Sequence, residues 1–482
     1  MAMLGKRRPR LASSGVSGLQ GSQGQQPRET TGIGEADILD VRGLAHDGRG
    51  VARTAGGKTV FIEGALLGEQ VRVAVHRTRK RFDEAHVRDI VQAAPERVVP
   101  PCPHFGRCGG CDLQHLALPA QRRHKQAVLE ELLGRQGITL ASPPELVAGA
   151  GEGYRRRARL GVKVDAEGVV HLGFRTRHSH YLVDLETCTV LVPALEALLV
   201  PMRQLLAELE APRQVGHIEL LESDRAVVVV VRQLRDHPGD SRRWQAFARA
   251  QDVHVARWLG REAPSLDWLT RVPAIECRVP GPDRELTLGV APGDFLQANG
   301  EVNRLMVSTA LAWLSPLSRG ERVLDLFAGV GNFSLPLAAA GAHVMAAEGN
   351  PAMVTRLGDN ARANAHAQSL QVVARQADLT GPAAVRSLLQ ETSPEVVVLD
   401  PPREGAEAVS RALVEHPVSR LLYISCDPAT LARDAAHLVR GGYRIRRAAV
   451  ADMFVHTSHL ESMLLFEFSG SPQQAQGGSS DG

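Results

Sequence analysis

The chain has 482 residues, of which 44% are apolar and 23% are charged, and its net charge is +3. This length exceeds what one compact core accommodates, so two or three globular domains are expected. The sequence contains no run of eighteen apolar residues, and its basic N-terminus lacks the apolar segment of a secretory signal. These features exclude a membrane-spanning or secreted protein and predict a cytoplasmic location.

The charge is distributed unevenly along the chain. Residues 1–160 contain 25 Lys and Arg against 16 Asp and Glu, a balance of +9, whereas residues 161–482 contain 31 against 37, a balance of −6. A basic front part favours a module that binds a polyanion such as nucleic acid. A chance bias of a solvated surface is the alternative.

The two ends of the chain and the first domain are distinguished by composition. Residues 1–33 are rich in Gly, Ser, Gln and Arg, which predicts a disordered basic tail, and residues 469–482 predict a second disordered tail. Residues 34–93 predict short strands separated by glycines, which is typical of a small closed barrel of OB size. The basic run Arg77–Arg81 lies between two of these strands. Such barrels often bind oligonucleotides, although they can also be purely structural.

A group of cysteines follows the barrel. Cys102, Cys108 and Cys111 lie within ten residues, and a cytoplasmic chain rarely keeps disulfides, so ligation of a metal or cluster is indicated. A fourth ligand would come from Cys188 or Cys277. Four thiolates hold either zinc or a [4Fe–4S] cluster, and the spacing alone slightly favours zinc.

Residues 94–290 predict a middle α/β domain without a catalytic motif. A helical stretch is expected over Pro119–Gln136 and another over Ala194–Glu210. Strands are expected at Ala158–Val164, His217–Leu221 and Ala226–Arg232.

Residues 291–468 alternate between apolar runs of strand length and helical windows, which predicts a mostly parallel, doubly wound sheet of the Rossmann-like class. The six expected strands are Arg322–Phe327, His343–Ala347, Leu370–Arg375, Glu395–Leu399, Arg420–Ser425 and Met463–Phe468.

The first of these strands runs into a glycine loop that is typical of a nucleoside cofactor site. Gly329 and Gly331, within the motif that begins at Asp325, allow a tight turn and a close approach to a ligand. Glu348 ends the next strand, where a carboxylate can bind both ribose hydroxyls. Position 334 is Ser rather than the third glycine of a dinucleotide site, so S-adenosylmethionine is favoured over a pyrophosphate cofactor. A purely structural turn is the alternative.

Further chemistry is expected at the carboxyl ends of later strands. Asp378, just past the third strand, is placed to bind the adenine amino group. Asp400 follows the fourth strand, where it would meet a planar base or else cap the next helix. Cys426 ends the fifth strand, and the helix that begins after it should lower the pKa of its thiol. A small buried cysteine is the alternative there.

Glu461 is the candidate for a general base. His456, His459 and Glu461 could instead ligate a metal or form an ordinary polar loop. A thiolate, a carboxylate at the base edge, a methyl-donor site and a late general base are together what methylation at carbon 5 of uracil requires.

Five motifs, taken in order over residues 34–468, resemble the RNA 5-methyluridine methyltransferase family. They are Asp294–Asn299, Asp325–Phe333, Asp400–Gly405, Ser425–Asp434 and His459–Ser462. The resemblance implies Cys426 as nucleophile, Glu461 as base and Phe295 as a residue stacked near the target uracil. It also implies a set of residues around cofactor and base: Gln297, Phe327, Asn332, Glu348, Asp378 and Asp400.

Two positions differ from the usual family pattern. Members often have Asn where this chain has Asp427, and a carboxylate there would oppose thiolate formation unless it is paired or points away. Some relatives also carry Asn where this chain has Asp378.

The resemblance also bears on the cysteines and on the substrate. Family members with this spacing hold a [4Fe–4S] cluster, which implies the ligands Cys102, Cys108, Cys111 and Cys188 and leaves Cys277 as a core residue. Residues 34–93 resemble a TRAM domain, and barrel plus cluster together resemble the branch that methylates 23S rRNA at the site usually numbered U1939.

The expected partner is therefore 23S rRNA, unassembled or loosely folded, bound by a monomer. The barrel, the run Arg155–Arg157 and the cluster region are the candidates for holding it, although Arg155–Arg157 could equally be a solvated strand end. The helix near residues 119–150 is expected to pack on the methyltransferase domain. The rival hypotheses are an amino-methyltransferase and a non-enzymatic RNA-binding protein with a degenerate methyltransferase fold.

Overall fold

The computed structural model describes Gly34 and residues 37–177, 179–365 and 370–470. The first expected tail, residues 1–33, and all but the first two residues of the second lie outside the described residues. No helix in the described part of the chain is long and apolar enough to cross a membrane.

The first domain is a small barrel-like sheet, in which most strand pairs are antiparallel and one is parallel. Its six strands are β1 (Leu39–Asp40), β2 (Gly43–Leu44), β3 (Gly50–Arg53), β4 (Thr59–Glu63), β5 (Gln70–Thr78) and β6 (Phe82–Gln92). They are hydrogen-bonded in the order β1-β5-β6-β4-β3-β2 around an apolar core that includes Val60, Ile62 and Val71. The basic run Arg77–Arg81 forms the exposed end of the β5–β6 hairpin.

A long helix and a short strand connect the barrel to the C-terminal sheet. They are α1 (Leu118–Arg135) and β7 (Glu145–Val147). The apolar face of α1 places Val128, Leu129 and Leu133 in the core of the C-terminal sheet, and β7 adds an edge strand to that sheet. Pro119 stands in the first turn of α1, where its missing N–H leaves no hydrogen bond unmade.

The middle of the chain forms a seven-stranded sheet in the order β10-β9-β8-β11-β12-β13-β14. The strands are β8 (Arg157–Val164), β9 (Val170–Arg175), β10 (Leu182–Asp184), β11 (Val215–Glu222), β12 (Val227–Gln233), β13 (His254–Leu259) and β14 (Ser265–Trp268). The helices are α2 (Pro193–Glu196), α3 (Leu199–Glu208) and α4 (Pro238–Gln251). They bury one face of the sheet around Trp244. A hairpin of β15 (Glu276–Pro280) and β16 (Glu285–Gly289) follows.

The C-terminal part is an eight-stranded doubly wound sheet in the order β19-β18-β17-β20-β21-β23-β22-β7. Its strands are β17 (Arg322–Leu326), β18 (His343–Glu348), β19 (Val372–Gln376), β20 (Val396–Leu399), β21 (Arg420–Ser425), β22 (Tyr443–Ala451) and β23 (Glu461–Phe468). Its helices are α5 (Gly300–Leu314), α6 (Ser334–Ala339), α7 (Pro351–Ala363), α8 (Pro382–Thr392), α9 (Glu407–Glu415) and α10 (Pro428–Arg440).

The strands β17 to β21 are parallel, and β23 runs antiparallel between β21 and β22. Two apolar layers, one on each face of the sheet, bury side chains such as Leu326 and Val398. The predicted doubly wound class is therefore confirmed, and each of the six expected strands overlaps an observed one. The carboxyl ends of β17, β18, β20 and β21 lie along one edge, and the start of β23 joins them there.

Candidate active site

The loop after β17 has the backbone geometry of a ligand site. Phe327 adopts a φ of 62°, a conformation that non-glycine residues rarely take and that concentrates at functional sites. Gly329 and Gly331 also have positive φ, 57° and 102°. A Cβ on Gly329 would meet open space, whereas a Cβ on Gly331 would collide with Leu335. Gly329 therefore borders the ligand space, and Gly331 allows the loop to pack on its own helix.

Glu348 ends β18 and shapes this loop directly. Its Oε2 accepts a hydrogen bond from the Gly329 N–H at 3.0 Å, and its Oε1 accepts one from the Asn350 N–H at 2.9 Å. Asp378 behaves differently, since it is exposed and its Oδ1 accepts from the N–H and the hydroxyl of Thr380. These bonds lower the pKa of Asp378. Asp378 does not belong to the cleft lining described next, and its adenine contact stays a prediction.

A cleft lies beside the glycine loop; its volume is about 550 Å³, part of which is open to solvent. Five of the predicted residues border it together with Asp400: Phe295, Gln297, Phe327, Gly329 and Asn332. Phe295 borders this cleft and is 61% exposed.

The cleft also contains residues that the sequence reasoning missed. Asn303 on α5 makes a reciprocal pair of amide hydrogen bonds with Asn332, at 2.9 and 3.0 Å, which fixes the orientation of both amides. A sequence signal for it exists, because Asn303 follows Asn299, the N-cap of α5, by four residues, which puts both on the same side of the start of the helix. Cys277, expected in the core, is buried and forms part of the cleft wall.

The run Arg155–Arg157 contacts the backbone of the segment that lines the cleft. Arg156 is buried and its Nε donates to the Gln297 carbonyl at 3.0 Å. Arg157 donates to the Asp294 carbonyl at 2.7 Å and pairs with Glu219 at 2.5 Å. Two of the three arginines therefore hold the segment that carries Phe295 and Gln297.

Carboxyl groups cluster at the edge of the sheet. The pKa of Asp325 is raised from 3.8 to about 7, mainly by burial and in smaller part by the charges of Asp400 and Glu348, while a hydrogen bond from the Ser334 hydroxyl opposes the rise. Burial also raises the pKa of Asp400 to about 7. Such a cluster favours a cation in the adjacent cleft.

Glu461 completes this cluster. It is buried, and burial together with the charge of Asp400 raises its pKa well above 4.5. Ser425 pairs with Ser462 in the antiparallel ladder of β21 and β23, so the next positions outward, Cys426 and Glu461, stand opposite each other at the sheet edge. A carboxyl with a raised pKa is a stronger base than an ordinary one.

The prediction that the helix lowers the pKa of Cys426 is wrong. The pKa of the thiol is raised to about 11, mainly by burial and in smaller part by the charges of Glu461 and Asp400, while Arg403 opposes the rise. Burial of the sulfur, with the charges of the two nearby carboxyls, outweighs the effect of the helix N-terminus on the thiol pKa. Cys426 is partly exposed, so it is not the inert buried cysteine of the alternative hypothesis.

Asp427 is explained by its position as the N-cap of α10. Its Oδ1 accepts hydrogen bonds from the N–H groups of Ala429 and Thr430, at 3.0 and 2.9 Å. The carboxylate therefore satisfies the helix end rather than facing the thiol, which is the geometry under which an extra carboxylate beside Cys426 is tolerated.

The four cysteines predicted as ligands lie close together around the edge of the central core. Burial raises the pKa of Cys111 to about 12 and that of Cys188 to about 11, and in both the charges of neighbouring thiols contribute. The Gly110 N–H donates to the Cys108 sulfur at 3.4 Å.

Among the described residues, no group of three or more His, Cys, Asp or Glu side chains is arranged to hold a single metal ion. The metal alternative for His456, His459 and Glu461 therefore gains no support. His456 instead contacts Gln121 through its Nδ1 at 3.1 Å.

Comparisons with known proteins agree with this architecture. Residues 119–468 match the family model for tRNA (uracil-5-)-methyltransferase, and residues 35–87 match the TRAM domain. The chain is 61% identical to the 23S rRNA (uracil(1939)-C(5))-methyltransferase RlmD of Halomonas elongata, with 100% of both chains covered. It is 57% identical to the protein of the same name from Chromohalobacter salexigens, over 96% of this chain and 95% of that one.

Among solved structures, the chain is similar to the Pyrococcus abyssi tRNA (uracil-54, C5)-methyltransferase in complex with S-adenosyl-L-homocysteine. The TM-score is 0.68 at 23% identity, over 90% of this chain and 100% of the other. At this identity the likeness shows the fold alone.

Proposed function

Because this chain belongs to the tRNA (uracil-5-)-methyltransferase family, we propose that it transfers a methyl group from S-adenosylmethionine to carbon 5 of a uridine in 23S rRNA. The observation that carries the proposal is the placement of Cys426 opposite Glu461 at the sheet edge, with Asp400 bordering the cleft beside them. The position equivalent to uridine 1939 is the proposed target, because two full-length relatives carry that position in their names.

The residues of the cleft fit a cationic nucleoside cofactor. S-adenosylmethionine supplies an electrophilic methyl group on a positively charged sulfonium. In this proposal Glu348 binds the ribose, and Gln297 and Asn332 bind the polar end of the cofactor. The neighbouring carboxyls Asp325 and Asp400 favour the positive charge.

Cys426 begins the reaction as the nucleophile. Its thiolate forms a bond to carbon 6 of the uracil, and the electrons of the 5,6 double bond move into the enolate, which makes carbon 5 nucleophilic. The free thiol has a pKa of about 11, so it is mainly protonated before the substrates bind. Positive charge in the cleft and proton uptake by the raised-pKa carboxyls both favour the thiolate.

Glu461 ends the reaction as the general base. After carbon 5 has received the methyl group, the carboxylate takes the proton that carbon 5 still holds, the 5,6 double bond re-forms and the thiolate leaves carbon 6. The raised pKa of Glu461 suits proton abstraction near neutral pH. Asp400 stands beside both groups and faces the edge of the base.

The target base has to leave its stack to reach Cys426. Phe295, exposed at the cleft, offers a surface on which the flipped uracil stacks. The barrel with its basic hairpin end, Arg77–Arg81, is the proposed second RNA contact. The cell compartment that fits these roles is the cytoplasm, and a monomer suffices for them.

We further propose that Cys102, Cys108, Cys111 and Cys188 hold a [4Fe–4S] cluster. An all-sulfur donor set with N–H groups directed at sulfur suits such a cluster. The cluster takes no part in the methyl transfer. Iron and sulfide analysis of anaerobically purified protein tests this, and stoichiometric zinc in a colourless protein would contradict it.

The proposed activity is tested by mapping 5-methyluridine in rRNA. Cells that lack this gene should lose one 5-methyluridine of 23S rRNA and regain it with the wild-type gene, but not with Cys426→Ala. Full modification in the deleted strain, or rescue by Cys426→Ala, would contradict the proposal. An amino-methyltransferase would leave 5-methyluridine unchanged and alter an exocyclic amine instead.

A further inference from the structure

The loop 452–460 leads from β22 into Glu461, and it is held almost entirely from outside the C-terminal sheet. One of its residues, His456, has a φ of 66°, a strained conformation that persists only when neighbours fix it. The neighbours that fix it come from the cysteine segment, from α1 and from Tyr154.

The first anchor lies at the start of the loop. Lys125, 1% exposed, donates to Asp452 Oδ1 at 2.7 Å and to the Phe454 carbonyl at 2.9 Å. Arg122 donates to the other oxygen of Asp452 at 2.9 Å. Both oxygens of this buried carboxylate are therefore bound by α1.

The second anchor holds the middle of the loop. Gln121 accepts from the His456 N–H at 3.1 Å through its Oε1, and its Nε2 lies 3.1 Å from His456 Nδ1. The Tyr154 hydroxyl donates to the Val455 carbonyl at 3.0 Å.

The third anchor, Asp112, binds the loop at Ser458, close to Glu461 in the sequence. Its Oδ1 accepts from the Ser458 N–H at 2.7 Å, and its Oδ2 accepts from the Ser458 hydroxyl at 2.9 Å. The N–H groups of Asp112 and Leu113 both donate to the His456 carbonyl, at 3.0 and 2.9 Å. Asp112 directly follows Cys111, and Ser458 precedes Glu461 by three residues.

We propose that Asp112 is a positioning residue that holds the loop 452–460 so that Glu461 reaches the proton on carbon 5, and that it ties this loop to the four-cysteine segment. The inference rests on the proposed function, since it requires Glu461 to be the base. Glu461 is the first residue of β23 and pairs with Ala451 of β22. The loop 452–460 leads directly into it, so the position of the loop affects the position of Glu461. A displacement of about 1 Å of a catalytic group reduces a rate by about 100-fold.

The consequence is specific to one step. Because Glu461 acts after methyl transfer, a displaced base leaves Cys426 bonded to carbon 6 of a methylated uracil. Asp112→Ala should therefore slow the release of product by about 10- to 100-fold, while adduct formation stays within about threefold of wild type. Asp112→Asn should behave nearly as wild type, since its amide accepts from the Ser458 N–H and donates to the Ser458 hydroxyl oxygen.

The experiment follows the covalent complex between the holoenzyme and an ordinary, unfluorinated 23S rRNA fragment around uridine 1939, with S-adenosylmethionine, on denaturing gels. Iron content is measured on the same samples. Asp240→Ala is the control, because Asp240, which is more deeply buried than Asp112, likewise accepts one hydrogen bond on each carboxylate oxygen, from backbone N–H groups at 2.8 and 3.0 Å, but within the central domain. It should lower stability without accumulating the adduct.

Accumulation of adduct in Asp112→Ala with normal iron content, together with recovery in Asp112→Asn, supports the proposal. An equal decrease in the rates of adduct formation and of product release overturns it. If Asp112→Ala loses iron or fails to fold, Ser458→Ala is the deciding variant, because it removes only the hydroxyl hydrogen bond. A smaller accumulation of adduct in Ser458→Ala supports the proposal, and no accumulation overturns it. If the adduct accumulates in Glu461→Gln but not in the loop variants, only this inference is contradicted. If the adduct does not accumulate in Glu461→Gln either, the assignment of Glu461 as the base is contradicted as well.

Discussion

Replacing Asp325 with Asn should stabilise the protein, and the gain should grow as the pH rises. Asp325 is 1% exposed, and burial raises its pKa from 3.8 to about 7. A raised pKa in an acid means that its contribution to stability is present below the unfolded-state pKa and is lost as the pH rises through the folded-state pKa. The native carboxyl therefore destabilises the fold at neutral and alkaline pH.

The magnitude follows from the two pKa values. Each unit of difference corresponds to about 1.4 kcal/mol, so the native state is penalised by about 2 kcal/mol at pH 5 and by about 4 kcal/mol at pH 8. The advantage of Asp325→Asn over wild type should thus increase by about 2–3 kcal/mol between these pH values. The pH-independent consequences of the amide, such as its hydrogen bond with Ser334, cancel in this comparison.

Differential scanning calorimetry at pH 5, 6, 7 and 8 measures the effect. For a domain of this size the difference in Tm between variant and wild type should widen by about 5–10 °C. Asp378→Asn is the control, because the pKa of Asp378 lies below its ordinary value and its effect should be flat over this range. A Tm difference for Asp325→Asn that does not change with pH would refute the argument that burial keeps this carboxyl protonated.

Three further predictions concern the reacting groups. Iodoacetamide at pH 7.5 should alkylate Cys426 slowly, and Glu461→Gln should increase the rate about threefold for each unit by which the thiol pKa falls, because it removes one charge that raises this pKa. Peptide mass spectrometry measures the alkylation rate, and an unchanged rate would argue against an electrostatic effect of Glu461 on the thiol. Asp427→Ala should lower the free energy of unfolding by about 1 kcal/mol in urea denaturation, because two N–H groups of α10 lose their acceptor, and no loss would mean that the cap is dispensable. Binding of S-adenosylmethionine at pH 7 should release more protons than binding of S-adenosylhomocysteine, which lacks the sulfonium charge; calorimetry in two buffers measures this, and equal release would show that the carboxyls do not respond to the cation.

The sheet and much of the site could be predicted from the sequence because their signals are local. The near-continuous apolar runs Arg322–Phe327 and Arg420–Ser425 predict strands buried on both faces, and a polar residue directly after such a strand has to lie at the sheet edge. β22 (Tyr443–Ala451) was missed, because Arg444, Arg446 and Arg447 interrupt its apolar pattern, and its strand character depends on pairing with β23.

The pKa of Cys426 could not be predicted from the sequence for a similar reason. The local pattern, a cysteine before a helix, predicts a lowered pKa. The raised value arises first from burial and then from the charges of Glu461 and Asp400; Glu461 lies 35 positions away in the sequence and comes opposite Cys426 because β23 inserts antiparallel beside β21. The contact of Asp112 with Ser458, separated by 346 positions, likewise depends on the folded chain.

The central claim is that Cys426 adds to carbon 6 of a uridine in RNA. The most direct measurement is a trap with 5-fluorouridine, whose fluorine cannot be removed as a proton, in a 23S rRNA fragment with S-adenosylmethionine. The wild-type protein should form a covalent complex that survives denaturation, with the RNA attached at Cys426 by peptide mass spectrometry, and Cys426→Ala should form none. An adduct at another residue, an adduct that persists in Cys426→Ala, or no adduct with the wild-type protein would contradict the claim.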